Sequence, residues 1–566
     1  MSDSPGRIGV RNGIGRLVGA LALALTAVTA PHAAAQGLVD NVNGMTLDED
    51  GRVVRFGAMV VGEDGRVVAL LRRGERPPRE LRWRADMEGR TLLPGMVDGH
   101  GHVMGLGFQL RTLDLSETDS LEEAIALIRQ WTDENTATWI VGRGWNQERW
   151  GLGRFPTAAD LDAAFPGKAI YLERVDGHAA WANSKAMELA GITAETEAPA
   201  GGRIETNDDG TPSGIFVDAA QALFDDALPQ PTPRERNAAF LAAQDALIAD
   251  GITATADMGT SVDDWLLYRR MGDVGLLRMR IMSYAAGIDT ALRVAGQGPT
   301  EWLYRDRLRM GGVKLYADGA LGSRGAWLKA DYADAPGERG LRFLSDDQLL
   351  NLMTRGAMDR FQIAVHAIGD AANQQAVDAV EELSDTFGDD RRWRIEHAQI
   401  VDPADFAKFG RHGTIASMQP VHQTSDMHMA EARLGEARLA GAYAWRSMLE
   451  AGAVLAFGSD YPVESPDPFA GWAVGFTRQD ADLQPFGGWR PEEAVTREQA
   501  WAGFTTGAAY AGYAEDRFGR LAPGLWADFI IVDRDPLLAS PTQLRGTEVL
   551  ETWIAGERVY QRDAAE

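Results

Sequence analysis

The chain contains no cysteine. That one absence excludes disulfide bonds, thiolate metal sites and a cysteine nucleophile together. Any metal must therefore be held by nitrogen and oxygen donors. Basic residues are also scarce: 56 Lys and Arg stand against 82 Asp and Glu, a formal net charge of −26. A phosphate-binding protein needs a basic face, so nucleic acid is excluded as a partner. The acidic balance favours solubility and neutral or cationic small substrates. Beyond the first 35 residues there is no apolar run suited to crossing a bilayer.

What is present fits an ordinary globular protein of 566 residues, 45% hydrophobic and 24% charged. That length accommodates one large α/β barrel with a satellite domain. At the N-terminus, Arg7, Arg11 and Arg16 precede the apolar run Leu17 to Leu25, and Ala33-Ala34-Ala35 follows. This is the pattern of a secretory signal peptide over residues 1–35. It predicts a periplasmic or secreted protein with no membrane association after cleavage.

Residues 36–93 alternate in the manner of β-structure, with Asp64-Gly65 between two apolar runs as a hairpin signal. A similar pattern returns over 514–566, where Ala527 to Asp533 reads as one strand and Val549 to Tyr560 as two around Gly556. The two ends are expected to build one small β-domain. Between them, residues 94–513 alternate short apolar strands with helical patterns, the mark of parallel α/β architecture. Candidate strands lie at 95–98, 139–142, 169–172, 252–257, 277–282, 312–317, 363–366, 393–397, 414–419 and 454–458. Candidate helices include 120–131, 232–250 and 370–384. Ten strands exceed a barrel of eight, and the interval at about 117–227 is too long for one βα unit, so it reads as an insertion.

Pro94-Gly95-Met96-Val97-Asp98-Gly99-His100-Gly101-His102 ends a strand on a His-x-His pair. Residues two apart on a strand share a face, so both imidazoles can reach one ion. Alone this is weak evidence. Lys314, His366, His397 and Asp460 also fall at the carboxyl ends of candidate strands, where barrel active sites lie. A single strand-end histidine is usually a core residue, but six such groups in barrel order point to a site.

These stretches, with Val175-Asp176-Gly177-His178, Lys314 to Arg324, Val365-His366-Ala367, Glu396-His397-Ala398 and Gly458-Ser459-Asp460-Tyr461-Pro462-Val463, resemble the metal-dependent amidohydrolase superfamily. The similarity is greatest to its YtcJ-like, N-substituted formamide deformylase-like branch. The resemblance implies a distorted TIM (β/α)8 barrel with a small β-sandwich built from both chain ends. It implies two divalent ions, zinc being the expected metal. His100, His102 and Asp460 would take the first, His366 and His397 the second, with a carboxylated Lys314 bridging them. A carbamate suits that bridge because an ammonium beside divalent cations is repelled. It further implies hydrolysis of a non-peptide C–N bond in a small amide, with Asp460 as general acid/base.

Other readings are a one-metal deaminase, an ester- or lactone-cleaving relative, and a catalytically idle binding homologue. A plain lysine ion-paired with Asp318 is the alternative for Lys314. His178, Ser323, Arg324 and His422 are candidate substrate contacts. For the first three, structural roles fit as well; His422 would line the mouth of the site. Most of Trp145, Trp150, Trp181 and Trp327 are expected in the core. A homodimer is the candidate assembly.

Overall fold

The computed structural model describes residues 35–134, 138–388 and 390–563. Residues 1–34, nearly all of the expected signal segment, lie outside them.

Eight strands form one parallel sheet in chain order: β1 (Met96–Gly101), β2 (Ile252–Thr260), β3 (Arg280–Ala286), β4 (Leu308–Tyr316), β5 (Gln362–Ala367), β6 (Arg394–His397), β7 (Ile415–Met418) and β8 (Val454–Phe457). Most of their residues are buried whichever way they point, which is why they read as continuous apolar runs. The sheet curls until β1 meets the chain leaving β8. There Gly101 bridges Tyr461, the Asp460 amide donates to the His100 carbonyl at 2.7 Å, and the His102 amide donates to the Tyr461 carbonyl at 2.8 Å. The approach requires glycine. A Cβ on Gly99 would lie 2.7 Å from the Phe457 carbonyl oxygen, and one on Gly458 2.4 Å from the His100 nitrogen. Asp98 holds the same seam, accepting from the His100 amide at 2.9 Å and the Ser459 hydroxyl at 2.7 Å.

The helix Pro233–Ala249 shows how local sequence sets the outer layer. Thr232 caps it reciprocally with Glu235, and Pro233 occupies the first turn where no amide hydrogen bond is lost. Its buried face is Ala239, Phe240, Ala243 and Leu247, a helical spacing. Gly251, at φ +82°, then turns the chain into β2.

Ten apolar runs compete for eight staves, and long-range pairing decides between them. The runs at 139–142 and 169–172 become Trp139–Trp145 and Ala169–Arg174, two members of a separate six-stranded sheet that lies between Leu113 and Asp218 in sequence. Trp145, Trp150 and Trp181 pack edge-to-face in its core, with centroids 6.3–6.4 Å apart. The third stave begins later than the sequence suggests, at Arg280, because a charge in a strand is permitted here. Arg280 is fully buried and makes a bidentate pair with Asp528 at 2.6 and 2.9 Å.

Strands from the two chain ends combine. Phe529–Val532 pairs antiparallel with Thr91–Pro94, in a six-stranded sheet that also holds Val549–Ile554, Glu557–Gln561, Asn43–Leu47 and Val53–Phe56. A four-stranded sheet packs against it through Val39, Met59 and Val61, which meet Leu92, Phe529 and Trp553. Within that second sheet Ala58–Gly62 and Val67–Leu71 form the Asp64-Gly65 hairpin. Among the described residues no helix is long and apolar enough to cross a membrane.

Candidate metal centre

The barrel brings the strand-end residues to one mouth. His100 closes β1, and His102 stands just before the helix Val103–Gln109. Asp460, in the left-handed region at φ 61°, follows β8. Its carboxylate lies between two groups of imidazoles. Oδ1 is 3.0 Å from His102 Nε2 and 3.4 Å from His100 Nε2. Oδ2 is 3.7 Å from His422 Nε2 and 3.9 Å from His397 Nδ1. Each side makes a compact set of donor atoms capable of holding a cation: His100, His102 and Asp460, and His397, His422 and Asp460.

Lys314, on β4 and 2% exposed, places Nζ 3.3 Å from His100 Nε2. His366 ends near both groups but belongs to neither. Its ring sits between those of His397 and His178, with centroids at 4.6 and 5.3 Å, and its Nε2 is 3.6 Å from Asp318 Oδ1. Asp318 accepts backbone N–H bonds from Ile368, Gly369 and Trp327 at 2.8–3.0 Å, and so fixes the loop after β5.

Burial, assisted by Lys314, pushes the His100 imidazole down to about 4. Burial likewise holds His366 and His397 well below the ordinary histidine range. At neutral pH these rings are uncharged, the form that donates to metals. Burial raises the Asp460 carboxyl, but the His100, His102 and His397 rings more than offset it and keep it ionised. Three buried polar atoms at this mouth lack hydrogen-bond partners: His366 Nε2, His422 Nε2 and Asp460 Oδ1. Each such orphan costs about 1–3 kcal/mol unless a ligand satisfies it. An all nitrogen-and-oxygen donor set with orphaned lone pairs fits divalent cations.

Several supporting residues escape a sequence reading. Glu396 Oε2 lies 2.6 Å from His100 Nδ1, which fixes the hydrogen on Nδ1 and leaves the Nε2 lone pair facing the site. Arg394 donates to Glu396 Oε1 at 2.7 Å, to the Gly99 carbonyl at 2.7 Å and to the Ser417 hydroxyl at 2.9 Å. Gln419 Oε1 accepts from His397 Nδ1 at 2.9 Å, and Gln399 Nε2 contacts His422 Nδ1 at 3.2 Å. The available signal was Arg394 and Glu396 at alternate positions of a strand that should be wholly apolar.

Of the weaker candidates, His178 reaches the mouth from the inserted sheet, its Nδ1 2.6 Å from Asp218 Oδ1. Burial alone would lower it, yet the Asp218 carboxylate prevails and pushes it up to about 9. His422 joins the second imidazole group. Ser323 and Arg324 are tied within their own loop, to the Ala320 carbonyl at 3.3 Å and to Asp334 at 2.9 Å.

A parallel barrel that gathers neutral imidazoles and a carboxylate at its carboxyl mouth defines the metal-dependent hydrolase class of barrel. The sequence model of the amidohydrolase family matches residues 85–560, and the chain belongs to that family. It is 32% identical to Protein LONG AFTER FAR-RED 3 of Arabidopsis thaliana over 494 residues, covering 84% of this chain and 83% of that one. It is 32% identical to Putative amidohydrolase YtcJ of Bacillus subtilis, covering 84% and 90%. Against the N-substituted formamide deformylase of Arthrobacter pascens identity is 26%, with the same coverage of 84% and 90%. Among solved structures, an uncharacterized metal-dependent hydrolase from Pyrococcus horikoshii superposes with a TM-score of 0.70 at 25% identity, covering 89% of this chain and 99% of that one.

Proposed function

We propose that this chain is an exported hydrolase of a non-peptide amide, an N-acyl or N-formyl compound, dependent on two divalent ions with zinc as the expected metal. The observation that carries the reading is the position of Asp460 between two imidazole groups, with orphaned buried donors around it. The deformylase relative, as its name states, acts on N-substituted formamides, which supports the C–N bond as the target. Arg7, Arg11, Arg16 and the apolar run behind them support export.

His100 and His102 with Asp460 would hold one ion; His397, with His422 or His366 beside it, would hold the other. Lys314 is the group for a carbamate bridge. Burial, partly offset by Glu396 and Asp460, brings its amine down to about 8, so a fraction is free at neutral pH to add carbon dioxide. Bound ions supply the polarisation of a carbonyl and bring the pKa of water to roughly 7. The chain's own residues do the rest. Asp460 takes the proton of the attacking water and passes it to the departing nitrogen. Glu396 keeps the hydrogen of His100 on Nδ1 throughout. His178, held charged by Asp218, is the group this reading assigns to donate to the substrate oxygen.

Elemental mass spectrometry on protein purified without chelator, followed by a screen of N-formyl and N-acyl amines, tests this reading. About two equivalents of metal and amide turnover that chelation abolishes are the expected results. One equivalent would favour the deaminase alternative, and none, with no gain on adding zinc, would overturn the enzyme reading.

A further inference from the structure

Tyr316 belongs to neither metal-facing group, yet it stands at their mouth. Residues two apart on a strand share a face, so Tyr316 points the same way as Lys314, one step nearer the rim of β4. Its ring centre lies 5.1 Å from Lys314 Nζ and 5.4 Å from that of the His366 ring, which is tilted 38° to it. Among the described residues Tyr316 and Phe486 are the exposed aromatic side chains, and only Tyr316 sits on a barrel strand. Inner faces of such barrels are filled by packed side chains. This ring instead keeps 38% of its surface open.

The neighbouring wall leaves it open. Ala286, at the end of β3, is the ladder partner of Lys314, so it faces the same side, and it is exposed. Gly259, near the end of β2, has φ +103°. Apart from its chain neighbours, a Cβ there would meet only the Tyr316 hydroxyl, at 3.7 Å. A Cβ on Gly287 would meet nothing within 4 Å. The connections are short as well. Ser261 alone separates β2 from the helix Val262–Asp273, and Gly287 alone separates β3 from the helix Ile288–Ala295. The inserted sheet follows β1 and a loop over 317–345 follows β4, so the wall is built up on both sides of a low sector at β2 and β3. Tyr316, Gly259, Ala286 and Gly287 carry no charge. An ionic group would lose water there without gaining a partner, whereas an apolar group gains contact with the phenol ring.

We propose that Tyr316 is a specificity-determining residue whose ring packs an apolar substituent of the substrate, seated over β3 between Gly259 and Ala286. The preferred amides then carry an aryl or similar apolar group a few bonds from the scissile carbonyl. This rests on the amide-hydrolase reading of the same site.

The test compares kcat/KM for N-methylformamide with that for two amides bearing a phenyl group on either side of the scissile bond, N-(2-phenylethyl)formamide and N-methyl-3-phenylpropanamide, using zinc-loaded protein. Binding of the two phenyl amides is measured by calorimetry in parallel. The expected result is a preference of about tenfold or more for one phenyl amide over N-methylformamide. In Tyr316→Ala that ratio falls about three- to tenfold, and Tyr316→Phe restores it because the ring is what packs. Ala286→Leu, which fills the space from the other side, lowers the ratio without touching the tyrosine. No preference for either phenyl amide would overturn the assignment while leaving the amide-hydrolase reading intact. A preference that survives both Tyr316→Ala and Ala286→Leu would also overturn it. Phenyl-amide binding that weakens in both variants, with no amide cleaved, would support the assignment and sink the reaction.

Discussion

Asp460 is asked to do two things, and its two oxygens face different imidazole groups accordingly. Asp460→Asn keeps the shape and removes the proton acceptor. Turnover should fall by about a hundredfold to ten-thousandfold, with an unchanged circular dichroism spectrum; a variant retaining most activity would refute the role. Glu396 works through another residue. It fixes the ring of His100 and is itself the counter-ion of Arg394, which is 1% exposed. Glu396→Gln leaves that guanidinium buried without an anion, so stability should drop by about 3–5 kcal/mol in denaturant titration. Metal affinity should fall roughly ten- to a hundredfold in the same protein. Unaltered metal binding would show that the Glu396 charge is not needed to position His100.

At the scale of elements, the seam between β1 and the chain leaving β8 decides whether the two halves of the site meet. His100, His102 and Asp460 come from opposite sides of it, 358 residues apart at the closest. Hydrogen bonds cross it at 2.7 and 2.8 Å, and Gly458 lies against the His100 backbone. Gly458→Ala puts a methyl group where backbone already stands, and the cost is about 1–3 kcal/mol or more. The melting temperature and the metal content should fall together. A variant that melts like the parent with full metal would mean that the seam tolerates separation. The inserted sheet acts differently. It adds no stave, but it delivers His178 and Asp218 to the barrel mouth.

The whole molecule depends on its last segment. Phe529–Val532 covers Thr91–Pro94, the strand immediately before β1, and Asp528 neutralises Arg280 inside the barrel base. Ending the chain after residue 520 uncovers Leu92 and Leu93, buried side chains worth about 1.5–3 kcal/mol each. It also leaves Arg280 unpaired at about 3–5 kcal/mol. The truncated protein should be insoluble or lack a cooperative melting transition. A soluble product with the parent's melting curve would show that the barrel folds without the terminal sheets.

Much of this was legible from the sequence alone. Apolar runs separated by helical patterns dictated parallel α/β architecture, because burial on both faces removes alternation; the barrel itself came from the family resemblance. Turn chemistry dictated the Asp64-Gly65 hairpin. The strand-end positions of His100, His102, Lys314, His366, His397 and Asp460 followed from the periodicity of strands. The surplus of runs and the length of the interval at about 117–227 already set 139–142 and 169–172 apart from the staves; tertiary structure alone decided that they pair with each other in a second sheet. It alone set Glu396 on His100 across 296 residues, and brought His422 rather than His366 into a compact trio with His397 and Asp460. It also tied Arg324 to Asp334. Periodicity reports which face a residue occupies; which partner it meets depends on chain closure over hundreds of residues, and no local pattern encodes that.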